Sequence, residues 1–274
     1  YLGIDIGTSG VKAILMDESG DVAAQATAPL PISRPHPLWS EQDPADWWTA
    51  TNTAVKALPA DFRAAVRGIG RAGQMHGATL LDKNDNILRP AILWNDGRSE
   101  AACRVLENAA PGLHSIAGNL AMPGFTAPKL LWVRDHEPDV FAKTEKVLLP
   151  KDYVRLLMTG AYACDVSDAA GTLWLDVAQR TWSETLLDAC DLSSDYMPSL
   201  FEGSDVCGAI LPAIATDWGV PAGTPIVGGG GDNAAGAVGV GVVKAGDAFL
   251  SLGTSGVLFS ADAAYNPNAA SGVH

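Results

Sequence analysis

Short apolar runs separated by polar turns open the chain and predict three strands in an antiparallel meander. The runs lie at residues 2–6, 11–16 and 22–28, and each of the two turns between them contains glycine and hydroxyl or carboxylate side chains. Turns of this composition join neighbouring antiparallel strands. Asp5 interrupts the first apolar run, so chemistry is expected close to the first bend.

The middle of the chain alternates helical patterns with short apolar runs, which is typical of an α/β fold. Asp43 and Pro44 predict a capped helix start, with Trp47 and Trp48 directed to the core. Helices are predicted at residues 44–58, 99–107, 128–136, 138–143 and 151–159. Strands are predicted at residues 66–72, 79–82, 87–88, 91–93, 171–175 and 224–227. Little chemistry is expected from Gly112 to Asp195. Polar Ser167, Asp168 and Thr172 are interpreted as a turn, and the alternative is that they contact a ligand.

Four consecutive glycines at residues 228–231 lead into Asp232 and Asn233, and residues 234–240 have a helical pattern. Glycine lets the backbone approach a ligand closely, and a helix N-terminus adds a partial positive potential. We therefore interpret Asp232 as a catalytic base at a strand-to-helix turn. The alternative is that Asp232 only caps the following helix.

The turn at residues 7–10 has the sequence Gly-Thr-Ser-Gly, and the same four residues recur at 253–256 between two further apolar runs. Amide and hydroxyl groups in such turns suit phosphate oxygens, so two phosphate-holding hairpins are expected to face each other. Asp5 stands before the first turn as a candidate magnesium ligand, because a carboxylate among apolar residues needs a cation or a donor. Alternatively, Asp5 accepts hydrogen bonds from its own turn.

Met75 and His76 lie in a bend between two glycines, which favours a position in the wall of a substrate site. A histidine at such a bend can instead serve only as a structural hydrogen-bonding group. Trp94 begins a polar and aromatic stretch through Arg98 of the kind that lines sugar sites, and it can equally anchor the core.

The composition and net charge of the chain limit which kinds of molecule it is expected to bind. The chain has 274 residues, of which 47% are hydrophobic, and its formal net charge is −13. Such a chain can bury a large core, and its negative charge disfavours nucleic acid and anionic membranes. The four cysteines have no metal-site spacing and are expected to be reduced core thiols. No apolar run reaches membrane-spanning length and no signal segment opens the chain, so a cytoplasmic location is expected.

Five stretches occur in an order that resembles the FGGY carbohydrate kinases: GIDIGTSGVK, GQMHG, ILWNDGR, GGGGDNAAGAVGVG and SLGTSG. The resemblance covers essentially the whole chain. It implies a ribonuclease-H-like, actin-type ATPase fold of the α/β class, with a mixed sheet flanked by helices and a cleft between two domains. Residues 1–241 are then the N-terminal sugar-kinase domain, and residues 242–274 begin a second domain whose remainder is absent.

The resemblance also implies roles for individual residues. Asp232 corresponds to the general base and Asn233 to its neighbour in substrate binding, while Met75 and His76 match the pair that contacts the sugar. Asp5 corresponds to the carboxylate that holds magnesium, commonly through water. The phosphate-binding residues that the resemblance implies are Thr8, Ser9 and Lys12 in the first motif and Thr254 and Ser255 in the second.

Residues 33–48 and 118–132 resemble the family members that phosphorylate D-xylulose, which implies D-xylulose, ATP and Mg²⁺ as ligands. The alternatives are another ketopentose or polyol such as ribulose, or a catalytically silent sugar-binding fragment. The family's adenosine motif is missing, so this portion alone is expected to bind nucleotide poorly and to be inactive. An acidic surface permits a homodimer.

Overall fold

The computed structural model describes residues 1–252 and 256–271. The strands are β1 (Leu2–Ile6), β2 (Gly10–Met16), β3 (Val22–Pro29), β4 (Glu41–Gln42), β5 (Ile69–Gly73), β6 (Thr79–Leu81), β7 (Ala91–Ile92), β8 (Lys146–Leu148), β9 (Ala163–Asp165), β10 (Leu175–Asp176), β11 (Thr181–Trp182), β12 (Ser199–Phe201), β13 (Val206–Ala209), β14 (Pro225–Val227), β15 (Gly230–Gly231), β16 (Ala248–Leu252) and β17 (Gly256–Ser260). The α-helices are α1 (Pro44–Lys56), α2 (Ala60–Arg63), α3 (Glu100–Ala109), α4 (Leu113–Ala117), α5 (Thr126–His136), α6 (Pro138–Phe141), α7 (Pro150–Thr159), α8 (Val166–Ala170), α9 (Glu184–Asp188), α10 (Pro212–Trp218) and α11 (Asp232–Gly239). Short 3₁₀ turns lie at Ser194–Tyr196 and Ala269–Ser271.

The main sheet is mixed and has the strand order β13-β14-β5-β1-β2-β3, with β15 also paired to β5. The predicted meander is confirmed, because β1, β2 and β3 pair antiparallel. Strand β5 runs parallel to β1, to β14 and to β15. The carboxyl ends of β1, β5 and β15 therefore lie at one edge of the sheet.

Strand β1 forms with the predicted bounds and is continuous through Asp5. Leu2, Ile4 and Ile6 are buried on one face, whereas Asp5 is accessible to solvent on the other. Successive side chains of a strand point to opposite faces. The carboxylate therefore avoids the apolar core without breaking the strand.

Helix α1 begins as predicted, with the Asp43 side chain accepting a hydrogen bond of 2.9 Å from the Ala45 amide. The helix packs on β2 and β3, and α7 packs on β1 and β5. Trp47 is fully buried in the shared core, where its ring meets Tyr153 edge to face. The prediction of a core role for Trp47 is confirmed.

A second core lies under α3, α5 and strands β6 and β8. Here the strand predicted at residues 171–175 is wrong: only β10 (Leu175–Asp176) forms, and it pairs with β11. Leu173 has a left-handed backbone (φ 66°), and both Leu173 and Trp174 are fully buried. An apolar run that is buried by surrounding helices has the same pattern as a core strand, which explains the error.

All four cysteines are buried and free, as predicted. Among the described residues, no helix combines the length and the apolar composition that a membrane span requires.

The backbone of Gly229 adopts φ 79°, and a methyl group built on it would lie 2.0 Å from the Arg71 carbonyl oxygen. We expect Gly229→Ala to lower the free energy of unfolding by about 2 kcal/mol or more, because it combines left-handed strain with a clash. Gly236→Ala is the matched control. It lies in α11 with no atom within 4 Å of its added methyl group, so helix propensity predicts a gain of about 1 kcal/mol. Thermal denaturation of both variants checks this, and equal melting temperatures would contradict it.

Candidate functional site

Three parallel strand ends place the candidate catalytic residues. Asp5 of β1 is in register with Ala72 of β5, and Gly230 of β15 is in register with the same Ala72. Asp232 follows β15 directly and is the first residue of α11. The two aspartates thus emerge from the same edge of the sheet, on either side of β5.

Asp5 and Asp232 are both accessible to solvent, and their carboxyl groups are partly enclosed by protein. Partial burial raises the pKa of Asp232, and the Asp232 Oδ1 atom accepts a hydrogen bond of 2.8 Å from the Asn233 amide. The pKa of Asp5 is also raised, first by burial and then by the charge of Asp232, while Lys12 lowers it. Lys12 lies directly opposite Asp5 on β2. The site is therefore a pair of electrostatically coupled carboxylates with one lysine beside them.

The hydroxyl of Thr8 already has protein partners. It donates to Gln74 Oε1 at 3.0 Å and accepts from Trp94 Nε1 at 2.9 Å. Gln74 in turn donates to Gln42 Oε1 at 2.8 Å, and Gln42 donates to the Thr8 carbonyl at 2.7 Å. This closed ring of hydrogen bonds holds the turn at residues 7–10 in place. The single hydroxyl proton of Thr8 is directed at Gln74 rather than into the site.

Ser9 is exposed at the bend of the same hairpin, and Asn233 is half-buried in the first turn of α11. Thr254 and Ser255, predicted as the second phosphate motif, lie outside the described residues. The strands that flank them, β16 and β17, pair antiparallel. The predicted hairpin is therefore confirmed on both sides of that motif.

The side chain of Met75 fills the space between two glycines. A methyl group built on Gly231 would lie 2.8 Å from Met75 Sδ, and one built on Gly171 would lie 3.0 Å from Met75 Cε. Gly231 immediately precedes Asp232, so Met75 packs against the turn that carries the candidate base.

His76 is held in a left-handed conformation (φ 68°), which is uncommon for a residue other than glycine. Its Nδ1 atom lies 2.7 Å from the Gly171 carbonyl oxygen, so Nδ1 carries the proton and donates. In the neutral ring, Nε2 is then an acceptor. The ring also meets Phe125 edge to face at 4.5 Å. Both neighbours orient the imidazole.

Lys129 supports the same residue from inside the core. It is fully buried, and its Nζ donates to the His76 carbonyl at 2.7 Å. Burial holds the pKa of Lys129 well below its usual value, although Asp96 opposes the shift. This buried amine therefore helps to hold the left-handed backbone of His76.

The polar stretch after Trp94 has a structural role at its far end. Arg98 pairs with Asp96 and with Glu41, both at 2.7 Å, and its guanidinium lies 3.7 Å from the centroid of the Trp39 ring. A cavity of about 450 Å³ follows the adjacent loop, and Asp5 and Asp232 are not among its lining residues: Arg34, Pro35, His36, Pro37, Leu38, Trp39, Ser40 and Asn95. We assign no ligand to this cavity.

The sequence missed a fully buried ionic cluster beneath the glycine segment. Lys151 Nζ lies 2.7 Å from Asp152, 2.6 Å from Asp165 and 3.0 Å from Asp168. Arg155 approaches Asp152 at 3.2 Å. Burial would lower the pKa of Lys151, but the surrounding carboxylates hold it well above its usual value. The sequence feature that could have predicted this cluster is the group of charged residues in α7, which interrupt an otherwise apolar helix.

Asp152, Cys164 and Asp165 lie close enough together to suggest a metal site. Lys151 Nζ already contacts both carboxylates and supplies the positive charge. Burial also raises the pKa of Cys164 well above its usual value, which opposes the thiolate that a metal requires. We therefore interpret this group as an ion cluster.

The hydrogen-bond ring around Thr8 makes a testable prediction. Thr8→Val removes the hydroxyl and leaves Gln74 Oε1 and Trp94 Nε1 without that partner, so we expect the free energy of unfolding to fall by about 1–3 kcal/mol. Thr8→Ser keeps the hydroxyl and is the matched control. Thermal denaturation followed by tryptophan fluorescence measures both, and a Val variant as stable as the Ser variant would contradict the prediction.

Comparison with known proteins gives consistent matches along the chain. The model of the N-terminal domain of the FGGY family of carbohydrate kinases matches residues 1–239. Two curated relatives described as xylulose kinase are 62% identical (Klebsiella pneumoniae) and 60% identical (Escherichia coli strain K12). Each match covers 100% of this chain and 57% of the relative, so the chain spans little more than half of their length.

Comparison with solved structures gives the same kind of relative as the sequence matches. A "xyloylose kinase" from Brucella ovis superposes with a TM-score of 0.95 at 54% identity and covers 98% of this chain and 56% of that one. Xylulose kinase from Rhodospirillum rubrum gives a TM-score of 0.92 at 30% identity, with 97% of this chain and 56% of that one covered. The mixed sheet with flanking helices is thus the actin-like ATPase fold expected from the sequence. The chain belongs to the FGGY family of carbohydrate kinases.

Proposed function

We propose that the full-length protein phosphorylates D-xylulose with ATP to give D-xylulose 5-phosphate, with Asp232 as the general base. The observation that carries this proposal is the position of Asp232, at the head of a helix and coupled to a second carboxylate, Asp5. The identity of 62% to a xylulose kinase supports the choice of sugar.

The reaction needs an acceptor for the hydroxyl proton as the oxygen attacks phosphorus. A general base is most effective when its pKa lies near the working pH. Burial raises the pKa of Asp232, which makes its carboxylate a stronger proton acceptor than a fully hydrated aspartate. The proton passes from the terminal sugar hydroxyl to the carboxylate, and the oxygen forms the new bond to the γ-phosphorus of ATP. The bond between that phosphorus and the β,γ-bridging oxygen breaks, and ADP leaves with its electron pair.

Met75 and His76 are proposed to contact the sugar, together with Asn233. Met75 packs against Gly231, next to Asp232, and the imidazole of His76 is fixed by the Gly171 carbonyl. An imidazole held in one orientation can form a directed hydrogen bond with a sugar hydroxyl. Such a directed contact contributes to selectivity, since a sugar that lacks the matching hydroxyl loses it.

Asp5 is proposed to hold Mg²⁺, and its surroundings fit this ion. Burial and then the charge of Asp232 raise the pKa of Asp5, so a divalent cation would stabilise its ionised form. Mg²⁺ prefers oxygen ligands and keeps several waters. When bound with ATP, the ion neutralises charge on the phosphate oxygens. Ser9 at the bend, Thr8 and Lys12 are the proposed phosphate contacts of the first hairpin.

The second phosphate contact is assigned to Thr254 and Ser255 by the same proposal. Residues 1–241 form the proposed sugar-binding domain, and residues 242–274 begin the proposed second domain. Homodimer formation and a cytoplasmic location stay predictions.

We expect Asp232→Asn to lower kcat by about 10²–10⁴-fold while sugar affinity changes little, because the amide keeps the shape but cannot accept the proton. Steady-state kinetics and calorimetric sugar binding measure the two quantities. In the wild type, the acid limb of the pH profile of kcat/KM is expected above about pH 3.9, the usual aspartate pKa, because the raised pKa means that the base becomes protonated at a higher pH. An Asn variant with near-normal turnover would remove Asp232 from this role.

The control for the sugar is an acceptor panel of D-xylulose, D-ribulose and glycerol with the same wild-type protein. Preference for D-ribulose or glycerol would keep the kinase but overturn the substrate. Sugar binding without ATP turnover would favour the silent sugar-binding alternative.

His76 makes a separate prediction. A methyl group on residue 171 would lie 2.6 Å from His76 Cε1, so Gly171→Ala displaces the ring. We expect KM for D-xylulose to rise about tenfold with kcat changed less than about threefold, since the loss affects sugar binding. Gly239→Ala, where nothing lies within 4 Å of the added methyl group, is the control. Equal KM values for both variants would contradict a sugar contact by His76.

A further inference from the structure

The buried ionic cluster contains groups whose burial is unfavourable in isolation. The side chains of Lys151, Asp152 and Arg155 are completely inaccessible to solvent. Removing charges from water costs several kcal/mol for each ion, and apolar residues of similar volume often serve stability equally well. A gain in folding stability therefore explains this cluster poorly. Its contacts with the glycine segment at residues 228–231 indicate a positional role instead.

Two arginines hold the start of the glycine segment. Arg71 Nη2 donates to the Val227 carbonyl at 3.1 Å. Arg155 Nη2 donates to the Gly228 carbonyl. Both guanidinium groups belong to residues that are buried, so these bonds are shielded from competing water.

Ser167 holds the other end of the segment. The Gly231 amide donates to Ser167 Oγ at 3.3 Å, and the Ser167 hydroxyl donates to Asp165 Oδ1 at 2.5 Å. The second oxygen of Asp165 lies 2.6 Å from Lys151 Nζ. A continuous chain of contacts thus runs from the buried lysine to the backbone atom that precedes Asp232.

The glycine segment needs such outside restraint. Glycine has no side chain to pack and loses more backbone freedom on folding than any other residue. Gly231 is the last glycine before Asp232, and β15 contains only Gly230 and Gly231. The hydrogen bond from the Gly231 amide therefore restrains the backbone one residue before Asp232, and this backbone sets the direction of the Asp232 side chain.

We propose that Ser167 is a positioning residue for Asp232: its hydroxyl, oriented by Asp165, fixes the Gly231 amide and thereby the direction of the Asp232 carboxylate. This inference rests on the proposed function of Asp232 as the base. A displacement of about 1 Å at a reacting group can lower a rate by up to about 10²-fold.

The test compares Ser167→Ala with Ser167→Thr in the full-length protein. We expect Ser167→Ala to lower kcat for D-xylulose about tenfold with KM within about twofold, because the bond orients the base and leaves the sugar contacts in place. Ser167→Thr keeps a hydroxyl and is expected to restore most of kcat. Ser115→Ala, which removes an exposed hydroxyl bonded to the Gly112 carbonyl, is the control for loss of a serine.

A second readout is deuterium uptake of residues 228–239, measured by mass spectrometry. It is expected to rise in Ser167→Ala and to stay at the wild-type level in Ser167→Thr and Ser115→Ala. Unchanged uptake in Ser167→Ala, or equal losses of kcat in the Ala and Thr variants, would overturn the inference.

The outcomes separate this inference from the proposed function. Wild-type protein that phosphorylates no acceptor overturns both the function and the catalytic role of Ser167. Wild-type protein that turns over D-xylulose, with an Ala variant of unchanged kcat, overturns the role of Ser167 alone.

Discussion

The parallel pairing of β1 and β15 with β5 is the constraint on which the site depends. Parallel strands end at the same edge of a sheet, so residues far apart in sequence, such as Asp5 and Asp232, are brought together by the backbone register. The proposed roles of Asp5 and Asp232 both depend on this shared edge, because it brings the two carboxylates together. Burial raises the pKa of Asp5 most, and the charge of Asp232 raises it further because β15 joins the sheet beside β5.

Two polar networks stabilise that edge from opposite sides. The ring of hydrogen bonds through Thr8, Gln74 and Gln42 links the first hairpin to the end of β5. Beneath the glycine segment, Lys151 and its carboxylates connect through Ser167 to the Gly231 amide, next to Asp232. Because buried polar groups are costly unless they are paired, both networks favour one arrangement of the strands over slightly shifted ones.

Membership in the FGGY family places these features in the context of sugar phosphorylation. Phosphoryl transfer asks a protein mainly to position the reactants and to stabilise charge. The described residues contribute a candidate base, a candidate metal carboxylate and an oriented imidazole, and the base and the imidazole each hydrogen-bond to a backbone atom. The chain spans 57% of the length of its xylulose kinase relatives, so the activity of the whole protein is a proposal that kinetics must test.

The sequence by itself determined the local elements and the family. The antiparallel meander of β1, β2 and β3, the Asp43 cap of α1 and the helix start at Asp232 depend on neighbouring residues and were predicted correctly, as was the hairpin of β16 and β17. Only the tertiary structure decided which distant groups meet. The sequence predicted an ordinary helix at Lys151 and a turn at Ser167. No local pattern shows that Lys151 contacts Asp165, or that Asp165 and the Gly231 amide both bond to the Ser167 hydroxyl. The same reason explains the false strand at residues 171–175: burial of Trp174 comes from helices elsewhere in the chain, and hydrophobicity alone does not distinguish that burial from a sheet.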